Sequence, residues 1–291
     1  MKVIVLSGKG GTGKSSLTSS LALELSSSRE KIVVVDADVD CPNQHILFPG
    51  KTVRKDPLHI SKIAVFDEKK GSPPARCTEV CRFGAMKMVD GKIVVDKTRC
   101  TGCGACVLAC PGGFLKLVSK FTGELIVRET KHFPLIYGRL EPGESGSGRM
   151  IFEAKKAADE IAGKRNAGLT LVDAPAGIGC PVIAAVTGCD YAVGIVEPTL
   201  PAMKNLERAL EVVKHFRIPF SVVMNKEGIS KKHEKMIAKK FGKRLISRIP
   251  YDEEVCRLLA HGLPPIRGKG KGAAAFKNAA EEIKTAIREG M

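Results

Sequence analysis

Five runs rich in aliphatic and β-branched residues recur along the chain: Val3–Ser7, Ile32–Asp36, Leu169–Asp173, Ala192–Val196 and Ser221–Asn225. Segments with helical spacing of apolar positions lie between or after most of them: Lys14–Ser27, Arg149–Gly163, Pro201–Phe216, Lys231–Phe241 and Ala273–Arg288. Strand alternating with helix predicts an α/β fold, a doubly wound and mostly parallel sheet with helices on both faces. The last helix carries Phe276, Ala280, Ile283 and Ile287 on one face, while Glu281, Glu282 and Glu289 offset its lysines. That pattern predicts a helix packed on the core and not one lying on a membrane.

The rhythm breaks from about Ser61 to Ser119. This stretch has no long helical period and holds six of the ten cysteines. It reads as a small inserted α+β domain, giving three spans: 1–60 and 120–291 as two parts of one domain, and 61–119 as the insert. The glycine-rich Glu141–Gly148 reads as a loop before a helix.

Between the first strand and first helix stands GKGGTGKSS: Gly8, Lys9, Gly10, Gly11, Thr12, Gly13, Lys14, Ser15 and Ser16. It satisfies G-x-x-x-x-G-K-[ST] in the strand–loop–helix context that pattern requires. Glycines let successive backbone N–H groups turn inward on phosphate oxygens, and the helix N-terminus faces the same charge. Lys14 would then neutralise the β- and γ-phosphates of a bound nucleotide, and the Ser15 hydroxyl would ligate Mg²⁺. The second strand runs into DADVDCPN, which sets Asp36, Asp38 and Asp40 at its carboxyl end, where a carboxylate can orient Mg²⁺ or an attacking water. The third run ends in DAPAGIG, where Asp173 fits the metal's shell and Gly177 offers a backbone N–H to the γ-phosphate. The plainer alternative is that these carboxylates only cap strand ends.

The insert contains C-x-x-C-x-x-C-x-x-x-C-P from Cys100 to Pro111, preceded by CTEVC ending at Cys81. The first is the ligand run of a bacterial ferredoxin, in which the fourth cysteine of each run serves the other run's cluster. One [4Fe–4S] cluster then takes Cys81, Cys100, Cys103 and Cys106. A second would need cysteines at positions 71 and 74, which are Gly71 and Pro74. The arithmetic predicts one cluster, with Cys77 and Cys110 left over near each other, as free thiols or as a disulfide. Because intracellular disulfides are rare outside hyperthermophiles, free thiols are the favoured expectation. Zinc is the alternative metal, disfavoured by the spacing and the C-P ending.

Composition changes the picture little. The 291 residues are 44% hydrophobic and 27% charged, ordinary for a globular protein. No apolar run nears membrane-spanning length and no leader precedes the first strand, so a cytoplasmic protein without membrane contact is expected. A formal charge of +16 admits an acidic partner or a lysine-rich surface. Aromatics are 5% and not interleaved with bases, which argues against specific nucleic-acid binding. One glutamine and no tryptophan accompany the abundant lysine and arginine, a bias shared with heat-adapted proteins.

Lys9 is a lysine that ordinary phosphate loops lack. With DADVDCPN, DAPAG, VVMNK (Val222–Lys226) and RIPYDEEV (Arg248–Val255), it makes nearly the whole chain resemble the deviant-Walker ATPases, the MinD, ParA and Mrp-type carriers and the nitrogenase iron protein. The cysteine-rich insertion narrows the resemblance to MinD-like ATPases with an inserted ferredoxin domain. The resemblance implies slow, Mg-dependent ATP hydrolysis and a dimer formed with ATP, either with itself or with a paralogue. It implies that Lys9 reaches the other subunit's phosphates, that Asp38 positions the attacking water, and that Asn225 and the backbone near Pro250 read adenine. Family members commonly carry eight cluster ligands; this chain departs from them, so relay between two clusters is not expected. ATP-gated electron transfer to a redox partner is the favoured function, against a cluster carrier serving an acceptor protein and a redox-sensing regulatory module. Cys180 resembles the position of a subunit-bridging cluster ligand in the nitrogenase iron protein, but its partner motif is not evident and a packed small residue is expected. Cys189 and Cys256 read as core residues, Arg267–Gly272 as a flexible exposed loop, and His45 as a neighbour of the nucleotide switch.

Overall fold

A computed structural model of the chain describes residues 1–28, 30–74, 76–144 and 146–290. Ser145, within the glycine-rich loop expectation, lies outside the described residues. The chain opens with β1 (Lys2–Leu6), α1 (Lys14–Ser27), β2 (Ile32–Asp36), α2 (Gln44–Leu47) and β3 (Gly50–Leu58). Next come β4 (Ser61–Phe66), α3 (Arg76–Glu79), β5 (Met86–Val89), β6 (Lys92–Val95), α4 (Ala105–Ala109) and β7 (Leu115–Lys120). Then follow β8 (Gly123–Thr130), β9 (Pro134–Leu140), α5 (Ser147–Arg165), β10 (Leu169–Asp173), α6 (Cys180–Val186) and β11 (Tyr191–Val196). The chain closes with α7 (Leu200–His215), β12 (Phe220–Glu227), α8 (Lys231–Phe241), β13 (Leu245–Pro250), α9 (Glu253–Ala260) and α10 (Lys271–Glu289).

One sheet has the order β13-β12-β11-β1-β10-β2-β9-β8-β3, and its first seven strands pair in parallel throughout. Parallel strands covered on both faces need no polar side, which is why IVVVD of β2 and LTLVD of β10 are buried at every residue. The helices supply the cover. Leu17, Leu21 and Leu25 of α1 join Phe276, Ala280, Ile283 and Ile287 of α10 in one core with β1, β2 and β10. The apolar face of the last helix is thus spent on the interior, as its spacing predicts. Among the described residues, no helix is long and apolar enough to cross a membrane.

The chain divides into two compact units. The larger comprises Met1–Asp56, Leu125–Arg139 and Ser147–Met291; the smaller comprises Pro57–Glu124 and Leu140–Gly146. Within the smaller unit β4 pairs antiparallel with β7, and β5 with β6. Its core gathers Ala64, Met86, Ile93 and Leu115 around Cys77, Cys106 and Cys110.

Arg267–Gly272 is not the free loop expected of it. Glu254 accepts from the N–H groups of Lys269 (3.1 Å) and Gly270 (2.6 Å), and Asp252 from that of Gly272 (2.7 Å). Those carboxylates fix the entry into α10 by satisfying donors that the helix itself leaves unpaired.

Candidate nucleotide site and a cysteine-lined cavity

The loop after β1, the carboxyl ends of β2 and β10, and Asn225 on β12 meet at one edge of the parallel sheet, where open α/β sheets receive ligands. Two glycines of the loop have no substitute. A Cβ on Gly8 would stand 2.1 Å from the Asn205 carbonyl carbon of α7. Gly13 has φ +97°, and its Cβ would meet the Asn225 amide at 2.2 Å. The loop lines a cavity of about 380 Å³ together with Asp38, Asn43, Asn225, Pro250 and Tyr251, within the range of small-molecule sites.

Beside the loop is a closed hydrogen-bonded group. Lys14 Nζ is 2.8 Å from Asp173 Oδ1, with both side chains buried. Thr18 Oγ1 donates to the same oxygen at 3.2 Å, and Gln44 Nε2 donates to Asp173 Oδ2 at 2.8 Å. Burial works against the Lys14 ammonium, but the Asp173 carboxylate overrides it and holds the lysine above its usual range. Asp36 serves the loop's own backbone: it accepts from the N–H groups of Asp38, Asn43 and Gln44 at 3.1, 2.7 and 2.9 Å. Burial, and then the nearby Asp173, push its carboxyl up to about 7. Of the three carboxylates at the end of β2, Asp38 lines the cavity, Asp40 is exposed, and Asp36 is an internal brace.

Lys9 turns back onto its own chain and pairs with Glu197 at 2.5 Å. Lys226 Nζ lies 2.8 Å from the other oxygen of Glu197 and donates to the Gly11 carbonyl at 2.8 Å. Asn225 donates its amide to the Thr12 carbonyl at 2.8 Å, bracing the loop with the nitrogen expected to read a base. The Gly177 N–H expected at a γ-phosphate is donated to the Ser7 carbonyl at 3.3 Å. His45 stacks on Tyr137 with ring centroids 4.9 Å apart.

Sequence reasoning missed Gln44, Glu197 and Lys226. Glu197 had a signal, since it directly follows a buried strand just as Asp173 ends one. Cys256, expected in the core, is exposed on α9 and lines the cavity, because α9 lies over the loop with its apolar side only half covered. Cys180, expected to be packed, is exposed at the start of α6, whereas Cys189 is buried.

In the smaller unit, Cys81, Cys100, Cys103 and Cys106 line one cavity of about 240 Å³ whose remaining walls are mainly apolar, among them Ala64, Phe83, Met86 and Leu117. Among the described residues, no three His, Cys, Asp or Glu side chains stand close enough for a single metal ion. Burial pushes the Cys106 thiol up, and Cys100 and Cys103 add to it; a bound cation reverses that effect. Cys77 and Cys110 are joined as a disulfide, which corrects the favoured expectation of free thiols. Both are buried, and with Gly71 and Pro74 standing where two further cysteines would be needed no thiolate set for a second cluster remains.

The sequence profile of the CobQ/CobB/MinD/ParA nucleotide binding domain matches residues 3–266. An uncharacterized protein of Methanocaldococcus jannaschii is 33% identical over 288 residues, covering 99% of this chain and 98% of its own length. An uncharacterized ferredoxin of the same organism is 49% identical over 39 residues, 13% of this chain and 26% of the ferredoxin. Among solved structures, the septum site-determining protein MinD of Pyrococcus horikoshii, complexed with Mg-ADP, superposes with TM-score 0.61 at 17% identity over 100% of this chain and 98% of that one. A fold of this topology, a phosphate loop at its carboxyl edge and a profile match over most of its length lead to one conclusion: the chain belongs to the CobQ/CobB/MinD/ParA nucleotide-binding family.

Proposed function

We propose that the protein is a Mg-dependent ATPase that works as a nucleotide switch, carries one [4Fe–4S] cluster, and couples its nucleotide state to electron transfer with a partner protein. The observation that carries this is the pairing of two sites in one chain: a complete phosphate loop with its Lys14–Asp173 pair, and four cysteines around one cavity.

In the nucleotide site the backbone from Gly10 to Ser16 binds and orients the phosphates, and Lys14 neutralises them once it shares its charge between phosphate and Asp173. The donor set fits Mg²⁺, a hard cation that takes one or two protein oxygens and keeps several waters: Ser15 holds it, with Asp38 and Asp173 in its shell. When bound, the ion neutralises charge developing on the transferred phosphoryl group. Asp38, half-buried at the cavity wall, orients the attacking water and takes up its proton at a carboxylate oxygen. Gly177 serves the γ-phosphate only after its N–H leaves Ser7, which makes that loop responsive to hydrolysis. Asn225 and Pro250 flank the loop on the side where a base is accommodated. Lys9 acts across an ATP-bound dimer once freed from Glu197.

The cysteine set fits a polynuclear cluster better than a single ion, because four thiols are spread around one apolar cavity and no three of them stand close enough for one ion; a cluster there would be held by all four. When bound, the cluster supplies one-electron redox chemistry. Cys81, Cys100, Cys103 and Cys106 hold it, and the apolar walls limit water around its sulfurs.

The test is an EPR-monitored redox titration of anaerobically prepared protein, with and without Mg-ATP or a non-hydrolysable analogue. A reduced four-iron signal whose midpoint moves with nucleotide supports gated electron transfer. A signal indifferent to nucleotide reduces the cluster to a structural or sensory part, and no four-iron signal at all removes it.

A further inference from the structure

Gln44 is the chain's one glutamine, and its side chain is wholly buried beside the phosphate loop. Its Nε2 donates to the Ser15 carbonyl at 3.0 Å and to Asp173 Oδ2 at 2.8 Å. Two acceptors on one nitrogen decide which way the amide faces. Turned over, its oxygen would meet two oxygens with no proton between them. The Oε1 atom is thereby left buried without a hydrogen-bond donor. Buried polar atoms are so regularly satisfied that such an exception calls for a physical reason. A leucine would fill the same space with no unmet atom. The heat-adapted composition bias makes a lone buried amide here still less expected as filler.

The surroundings narrow what can meet that oxygen. Asp38, Asp173 and any phosphate bring acceptors, not donors, and both Asp36 oxygens already face the N–H groups of Asp38, Asn43 and Gln44. Lys14 Nζ is directed at Asp173 Oδ1 and Ser15 Oγ, with the phosphate its further acceptor, and the Gln44 N–H goes to Asp36. The donor that enters with a magnesium nucleotide is water held by the ion, since Mg²⁺ sheds its waters reluctantly.

We propose that Gln44 is a positioning residue for the magnesium ion. Its Nε2 fixes Asp173 and the Ser15 turn, and its Oε1 accepts a hydrogen bond from a water of the ion's shell. The assignment rests on the nucleotide-switch reading above. It adds a residue that ties the loop after β2 to the metal, so that α2 registers whether the ion is present.

The test uses the full chain and two measurements on wild type and Gln44→Leu: ADP affinity in EDTA, and Mn²⁺ affinity by EPR at saturating ADP. Circular dichroism checks that the variant folds. The expected result is a loss of Mn²⁺ affinity of about tenfold, the lower end of what outer-shell metal partners contribute, that exceeds any loss of ADP affinity in EDTA. Mn²⁺ affinity equal to wild type overturns the proposal. So does an equal loss with and without metal, which means a brace for the loop alone. If Gln44→Leu does not fold, Gln44→Met, of similar length and without a hydrogen-bonding amide, carries the same comparison. A wild-type chain that binds no ADP in either condition overturns the switch reading and this assignment with it, an outcome distinct from a failure of Gln44 alone.

Discussion

Lys9 is held by Glu197 of its own chain, 2.5 Å from Nζ to Oε1, so the lysine that marks this phosphate loop is bound in cis. Burial raises the Glu197 carboxyl, but hydrogen bonds from Lys226 and Lys9 outweigh it and hold the group below its usual range. A lowered acid contributes stability that is present above the unfolded value of 4.5 and is lost as pH falls through the lower folded value. Near neutral pH the pair is therefore intact. Release of Lys9 has to come from nucleotide or a second subunit, and not from protonation.

Glu197→Gln frees Lys9 while keeping the side chain's shape. The pair is half exposed on the lysine side, so its strength is at most about 1 kcal/mol, or about fivefold in an equilibrium. Each of the two subunits releases one Lys9, so sedimentation with a non-hydrolysable ATP analogue should show Glu197→Gln dimerising at up to about 25-fold lower concentration than wild type. Lys9→Ala should not dimerise under the same conditions.

Lys14→Met removes the cation facing Asp173, both of them buried. Breaking a buried pair from one side costs about 3 kcal/mol, because the remaining charge has no partner. Denaturant unfolding should show that loss, and fluorescent-nucleotide titration should show no ATP binding. Lys14→Met combined with Asp173→Asn should recover most of the stability and none of the binding.

Anaerobically reconstituted protein should hold about four irons per chain, as expected of one [4Fe–4S] cluster. Cys100→Ser and Cys103→Ser should each lower iron content and abolish the low-temperature EPR signal of the reduced protein. The double variant Cys77→Ala and Cys110→Ala should keep its iron and lose only thermal stability. Iron near eight per chain in wild type would contradict the ligand assignment.

Cys256 lines the nucleotide cavity and is exposed, whereas Cys180 is exposed and does not line it. Alkylation followed by peptide mass spectrometry should show Mg-ATP slowing the labelling of Cys256. On the proposed ATP-bound dimer with Cys180 at its face, the rate at Cys180 should change only in variants that dimerise.

The architecture was legible because it is written in local chemistry. IVVVD and LTLVD can be buried on both faces only inside a parallel sheet, and GKGGTGKSS specifies a backbone shape that few other residues can adopt. The phosphate-loop residues, Asp38 and Asn225 come together around one cavity, since each sits in the loop or beside the end of a strand whose direction the alternating pattern already sets. What stayed hidden depends on pairings distant in sequence. Glu197 meets Lys9 only because β11 lies next to β1, and no periodicity encodes that adjacency. Gln44 looks like a loop residue until the fold encloses it. The Cys77–Cys110 bond joins positions 33 apart that spacing alone leaves as neighbours of unspecified bonding.

That bond also bears on how the protein is made. A two-cluster unit depends on iron supply at both sites, while the single-cluster unit proposed above has one pair of cysteines closed covalently and four thiols left for metal. On that proposal, maturation imposes opposite demands on six cysteines within one short stretch: two are oxidised, and four stay reduced until iron arrives. Burial of Cys77 and Cys110 separates the two outcomes, because once joined they are out of reach of the thiols and reductants that keep the exposed Cys103 ready. A chain short of iron would then still have the Cys77–Cys110 link of its small unit in place.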